Sequence, residues 1–171
     1  MLQIVSYFWQ LCLLRSSPAQ LPSSWFATLL VFSIYLVIAL VVVSLTRPNL
    51  GGFQVIATIS IGISIQAAVT WALLQYKGRA GRFPATWSAL LGANAVMLII
   101  LLPFNFILLE SENTTLVAFA DSVTWVCLGW WLAIAGYIYH KAVDISVLQG
   151  SCLAFLIELM GVIAAVSLVS N

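Results

Sequence analysis

The chain has 171 residues, of which 63% are hydrophobic and 6% charged, whereas a soluble domain carries about 25% charged residues. So few charges do not cover a water-facing surface, and lipid is therefore the expected solvent. A formal net charge of +1 excludes a basic nucleic-acid surface and an acidic tail, and the scattered Lys and Arg form no cluster of the kind that binds anionic headgroups.

Residues 1–14, "MLQIVSYFWQLCLL", are apolar but too short to span a bilayer. They lack a basic start, and no small-residue cleavage site follows, so a secretory signal is not expected. "WQLCLL" likewise lacks the small residues that precede a lipidated cysteine. Gln3, Ser6 and Gln10 recur at helical spacing, with Leu2, Val5, Phe8, Trp9 and Cys12 on the remaining faces. This pattern predicts a short helix lying in the membrane interface and ending before "RSSPAQLPSS".

Five apolar stretches follow, at about 24–46, 51–75, 86–109, 116–139 and 147–169. Each reaches the roughly 20 residues that a helix needs to cross hydrocarbon. The connections "RPNLGG", "QYKGRAGRFPAT", "ESENTT" and "HKAVDIS" hold charges, turn formers or both. The expected fold is all-α: one polytopic membrane domain over 1–171, a bundle of five transmembrane helices behind the interfacial helix. Such short connections are expected to set consecutive spans side by side as antiparallel neighbours.

Loop charges predict an orientation. With five spans, Arg15, Lys77, Arg79, Arg82 and Lys141 share one side, against Arg47 alone on the other. This bias puts the N-terminus in the cytoplasm and the C-terminus outside. Trp25, Trp71 and Trp87 fall near the expected inner boundary, where indoles favour headgroup depth. "NTT" at 113–115 matches a glycosylation acceptor on the outer side.

In lipid, helices associate through close packing and interhelical hydrogen bonds. Small residues at four-residue spacing mark the expected seams: Ser60, Ser64 and Ala68; Gly129 and Ala133; Gly161 and Ala165. Pro103 removes a backbone bond from the third span and is expected to kink it.

Glu158 stands in the middle of the last span. Ionised and unpaired at the midplane, it would cost at least about 2.5 kcal/mol. No Lys or Arg lies inside an expected span, so a neutral carboxyl is expected, able both to donate and to accept a hydrogen bond. Tyr35, Ser60, Ser64, Gln66 and Asn94 lie at matching depth. A midplane hydrogen-bonded knot of Glu158 with one or two of them is the plain explanation. A proton- or ion-coupling site and a contact with a partner subunit are the alternatives. Asp121 is expected near the outer end of the fourth span, as a helix-start residue in reach of water.

Cys12, Cys127 and Cys152 form no CxxC pair and read as small buried hydrophobes. His140 and Asp144 share a helical spacing, but two ligands seldom make a metal site, so neither metal nor cofactor is expected. With a single His no Ser-His-acid set is placed, and the glycines of "KGRAGR" do not follow a strand. Glu158 and Asp121 are expected about half a membrane apart, too far for a catalytic dyad, so an enzyme is not expected.

"GRFPATWSALLGANAVMLIILLPF" (81–104) and "WWLAIAGYIYHKAVDISVLQGSCLAFLIELMG" (130–161) resemble a group of small bacterial inner-membrane proteins. More remotely, they resemble the membrane domain of the Ypt-interacting-protein (Yip) family. The shared pattern is a Trp-led fourth helix, a short basic turn and a fifth helix rich in small residues. The resemblance implies a five-helix membrane scaffold without catalysis. The "DLYGP" type of motif and a long N-terminal segment are missing from this sequence, so a small-GTPase partner is not implied and no functional residue carries over.

Two functions are expected on these grounds. The first is a non-catalytic membrane scaffold or assembly factor acting through helix faces, with the bilayer, other membrane proteins or a second copy as partners. The alternative is a small transporter or channel with Glu158 as its coupling residue, although no pseudo-symmetric repeat of the transporter kind is visible.

Overall fold

The computed structural model describes residues 8–14 and 24–169. Five long helices dominate it: α1 (Trp25–Thr46), α2 (Gly52–Tyr76), α3 (Phe83–Glu110), α4 (Thr114–Val143) and α5 (Val147–Val169). A 3-10 turn, Ala80–Arg82, leads into α3. All five helices are long and apolar enough to cross a bilayer, so the chain is an integral membrane protein with an all-α bundle.

Local chemistry sets the helix ends. Ser24 caps α1 by accepting from the Ala27 N–H at 3.2 Å, and Pro48 follows Arg47 at its other end, where a helix does not continue. Asn113 Oδ1 accepts from the Thr115 N–H at 3.0 Å and starts α4. Before α5, Ser146 Oγ accepts from the Gln149 N–H at 3.1 Å, while Gln149 Oε1 accepts from the Ser146 N–H at 3.0 Å. This reciprocal pair satisfies two otherwise orphaned donors. Pro84 sits in the first turn of α3, where its missing N–H costs nothing. Pro103 stays inside the continuous α3 helix.

The helices do not pack in sequence order. The extensive interfaces are α1 on α3, α3 on α4, α4 on α5 and α5 on α2, while α2 touches α1 and α3 only lightly. The bundle is therefore a ring, α1–α3–α4–α5–α2, closed by a thin α2–α1 seam. The expected pairing of consecutive spans fails for α1–α2 and α2–α3. The closest interhelical chemistry lies elsewhere. Between α1 and α3, the Thr28 hydroxyl lies 3.2 Å from the Pro84 carbonyl and 3.0 Å from Ser88 Oγ. Between α2 and α4, the hydroxyls of Thr70 and Tyr139 share a buried hydrogen bond at 2.8 Å. In lipid such bonds, rather than burial of apolar area, select the neighbour.

The tightest backbone approach is between α4 and α5, and it is not at the expected small-residue positions. A Cβ on Gly136 would stand 2.2 Å from Ser151 Oγ and 2.6 Å from the Val147 carbonyl oxygen. One on Gly150 would meet the Gly136 carbonyl at 2.6 Å. Ser151 Oγ donates across the same seam to the Leu132 carbonyl at 2.9 Å. Gly129, by contrast, faces open space. Of the expected seams, Gly161 comes near α2, where its Cβ would lie 3.8 Å from the Gly62 Cα.

The described part of the N-terminal segment sits deeper than the interfacial position expected for it. Residues 8–12 are helical, with Phe8, Leu11 and Cys12 buried and Trp9 and Gln10 exposed. Phe8 fills the space left by Gly92 in α3, where an added Cβ would stand 2.1 Å from its ring. Trp130 of α4 donates from Nε1 to the Cys12 carbonyl at 2.9 Å. Gly92 and Trp130 both lie well inside their helices, so this turn is wedged against the bundle's middle, where protein satisfies its backbone. Leu2, Gln3, Val5 and Ser6 lie outside the described residues.

At the end of the bundle holding the 76–83 and 143–147 connections, two arginines latch the end of α4. Arg79 pairs with Asp144 at 2.5 Å, and Arg79 and Arg82 both donate to the Ala142 carbonyl, at 3.3 and 3.4 Å. Cations on the last carbonyls of a helix also oppose its dipole. The hydrogen bond from Arg79 holds the Asp144 carboxyl below the usual carboxylate range, aided by the charges of Arg79, Arg82 and His140.

Two predictions follow from this packing. Gly136→Ala should destabilise the bundle by roughly 1–3 kcal/mol through overpacking, seen as a lower midpoint of thermal unfolding in detergent, whereas Gly129→Ala should leave it within about 0.5 kcal/mol. Because Asp144 has a lower pKa folded than unfolded, its pairing is fully present above the unfolded value of about 3.9 and is lost as pH falls through the folded one. A plot of unfolding midpoint against pH should therefore contain an acid-limb loss that Asp144→Asn removes, and the difference should be small because the pair is exposed.

Candidate functional site: an acid-lined cavity around Glu158

Glu158 is the twelfth of the 23 residues of α5. Its side chain faces across the ring toward α1 and α3. It borders two cavities, and Tyr35 of α1 and Asn94 of α3 border both with it. The larger, about 510 Å³, lies among α1, α3, α4 and α5. The smaller, about 120 Å³, lies on the α2 side and adds Thr58, Gly62 and Gln66. Glu158 is an exposed residue, and the space it borders on either side lies between the helices and is partly open.

The expected hydrogen-bonded knot is not formed. Among the described residues, Glu158 makes no hydrogen bond and no ion pair. Of the five partners considered, Tyr35, Gln66 and Asn94 are gathered around it, while Ser60 and Ser64 are exposed on α2 and border neither cavity. The reason is rotational. Gln66 faces the ring interior, and Ser60 and Ser64 occupy another face of the same helix.

Asn94 is fixed by its neighbour. Trp131 of α4 donates its indole N–H to Asn94 Oδ1. An indole only donates, so the amide oxygen must face it, and Asn94 Nδ2 is left as a donor toward the cavities. Gln66 is 5% exposed, yet among the described residues its amide has no hydrogen-bond partner. Its amide opens onto the smaller cavity, which is polar and roomy enough for water; the fully buried side-chain donor left without a partner among the described residues is instead Trp87 Nε1.

Asp121, expected as a helix-start residue, is the eighth residue of α4 rather than part of its first turn. It borders the larger cavity with Thr124, Trp125 and Trp131, on the same side of α4 as the route to Glu158. The two acids thus sit at different levels of one space. The sequence reading set them about half a membrane apart and missed that a single cavity is bordered by both. The available signal was spacing: Asp121, Thr124, Leu128 and Trp131 recur at three and four residues. Among the described residues, no Lys, Arg or His borders either cavity.

His140 donates from Nδ1 to the Ile145 carbonyl, 2.6 Å away, and Asp144 is engaged by Arg79. Both are therefore used in shaping the α4–α5 connection. Cys12 and Cys127 are buried and Cys152 is exposed.

The fold and site together define a polytopic α-helical membrane protein with an acid-lined, partly open cavity between its helices. No family model, no curated protein and no solved structure matches the chain.

Gln66 supplies a test of the cavity's polarity. Gln66→Leu, of similar volume, removes an amide that makes no hydrogen bond to protein among the described residues and faces the smaller cavity, and should hold or raise the unfolding midpoint. Thr70→Val leaves the Tyr139 hydroxyl without its partner and should cost about 1 kcal/mol. Thermal unfolding of the two variants beside the parent protein distinguishes them.

Proposed function

We propose that the protein is a small membrane transporter in which Glu158 binds and releases a proton or another cation. The observation that carries this reading is the placement of Glu158. A carboxyl group halfway along a membrane-spanning helix opens onto space between the helices that, among the described residues, no basic group borders. Ionisable groups in such positions mark ion and substrate paths. Asp121 extends the acidic lining toward the end of the bundle that carries the 110–114 connection.

A Yip-type scaffold or assembly factor, with other membrane proteins or a second copy as partner, draws support from the short connections and the sequence resemblance. It leaves the cavity without a role, and the transport reading is preferred for that reason. The same resemblance supports a bacterial inner membrane as the location. The excess of Lys and Arg in the connections at one end supports a cytoplasmic N-terminus.

In liposomes, the purified protein should support a proton-linked flux, read with an internal pH dye, that Glu158→Gln abolishes and Ser64→Ala preserves. Equal flux in Glu158→Gln and the parent protein would remove Glu158 from the mechanism.

A further inference from the structure

We propose that the larger cavity binds a monovalent organic cation with an apolar or aromatic body, and that this cation competes with a proton for Glu158. The inference rests on the reading of Glu158 as a cation-binding group and adds the ligand's chemical class.

The charge of the lining comes first. Two acidic side chains, Asp121 and Glu158, border the cavity, and among the described residues no basic side chain does. An anion would find no counter-charge there. A neutral polar ligand such as a sugar would find few hydrogen-bonding groups, because Asn94 Oδ1 is held by Trp131 and Thr124 Oγ1 is held by the Ala120 carbonyl at 2.9 Å.

The remaining question is which cation. A divalent metal needs about six or more oxygen ligands, or several kept waters, and no group of three His, Cys, Asp or Glu among the described residues is placed to hold one. What the walls offer besides the acids is ring and hydrocarbon: Tyr35, Trp125 and Trp131, with Met97, Leu101 and Val162. Aromatic faces attract a cation of low charge density, and they do so best for organic ammonium groups. A volume of about 510 Å³ is within the usual range of small-molecule sites.

The competition follows from the shared position of Glu158. It borders both cavities, and one carboxylate is neutralised by one charge at a time. With the cation absent, Glu158 carries a proton as the acid. When the cation enters the larger cavity, the O–H bond breaks, the proton leaves to water and the carboxylate faces the cation, so one positive charge replaces another. The 5%-exposed Gln66 amide, unpartnered and bordering the smaller cavity, and Asn94 Nδ2 are the donors on hand to stabilise the ionised form. Titratable groups around Glu158 are Tyr35 from α1, and Asp121, Cys127 and Tyr139 from α4. The facing residues of α2 and α3, namely Thr58, Gln66 and Asn94, are neutral.

The test uses the full chain in nanodiscs and tetraphenylphosphonium as probe, with tetraphenylborate as an anion of the same shape. Calorimetry should show saturable binding of the phosphonium, release of about one proton per cation, and affinity falling as pH is lowered. Glu158→Gln should weaken binding by roughly tenfold or more and abolish proton release. Asp121→Asn and Trp125→Leu change exposed side chains and should each weaken it about threefold. These two variants carry the test if Glu158→Gln does not fold. Unchanged phosphonium affinity in the folded variants, or equal saturable binding of tetraphenylborate, would overturn the proposal. Glu158-dependent proton flux without phosphonium binding sinks this inference and spares the transport reading. Phosphonium binding without flux does the reverse.

Discussion

A carboxylate halfway along a membrane-spanning helix needs a counter-charge, a proton or water, and the bundle supplies space rather than a counter-charge. Among the described residues, no basic residue borders the cavities that Glu158 faces, and no hydrogen bond closes over it. The energetic cost of ionising such a group in hydrocarbon is several kcal/mol at least. Its tolerable states are therefore the protonated acid, or the carboxylate beside water or a cation. Every functional consequence drawn for this protein depends on that restriction.

The ring order of the helices creates the space. Because α1 packs mainly on α3 and α2 mainly on α5, the α1–α2 contact is left light, and Tyr35, Asn94, Gln66 and Glu158 gather around open space rather than across a closed seam. Gly136 and Gly150 bring the α4 and α5 backbones together near the latched connection, and Thr28, Pro84 and Ser88 do the same for α1 and α3. The thin α2–α1 seam is the least committed part of the ring.

Much of the fold was legible in the sequence, and the reasons are physical. Hydrocarbon thickness demands long apolar runs, so the five spans appear with ends a few residues from those observed. Asn113 and the Ser146–Gln149 pair carry capping chemistry that reads directly from residue type and spacing. Neighbour relations were not legible. Hydropathy does not say which helix faces which, and in this bundle the choice was made by Thr28 with Ser88, by Thr70 with Tyr139, and by two glycines flanking the 143–147 connection rather than by the small-residue repeats. The placement of residues 8–12 depended on the vacancy that Gly92 leaves for Phe8, a contact between positions distant in sequence. The site divided in the same way. The importance of Glu158 followed from its depth alone, and the choice among its neighbours depended on helix rotation, which retained Gln66 and dropped Ser60 and Ser64.

Cys127 borders the larger cavity and is itself buried, so it reports on that space directly. With Cys12→Ala and Cys152→Ala made, the rate of Cys127 modification should be compared for a cationic thiosulfonate and its anionic analogue of similar size. If the cavity is reached from water and carries the charge of two carboxylates, the cationic reagent should react several-fold faster, and Glu158→Gln should narrow the difference. Equal rates, or no reaction of Cys127 with either reagent, would contradict an open acidic cavity around Glu158.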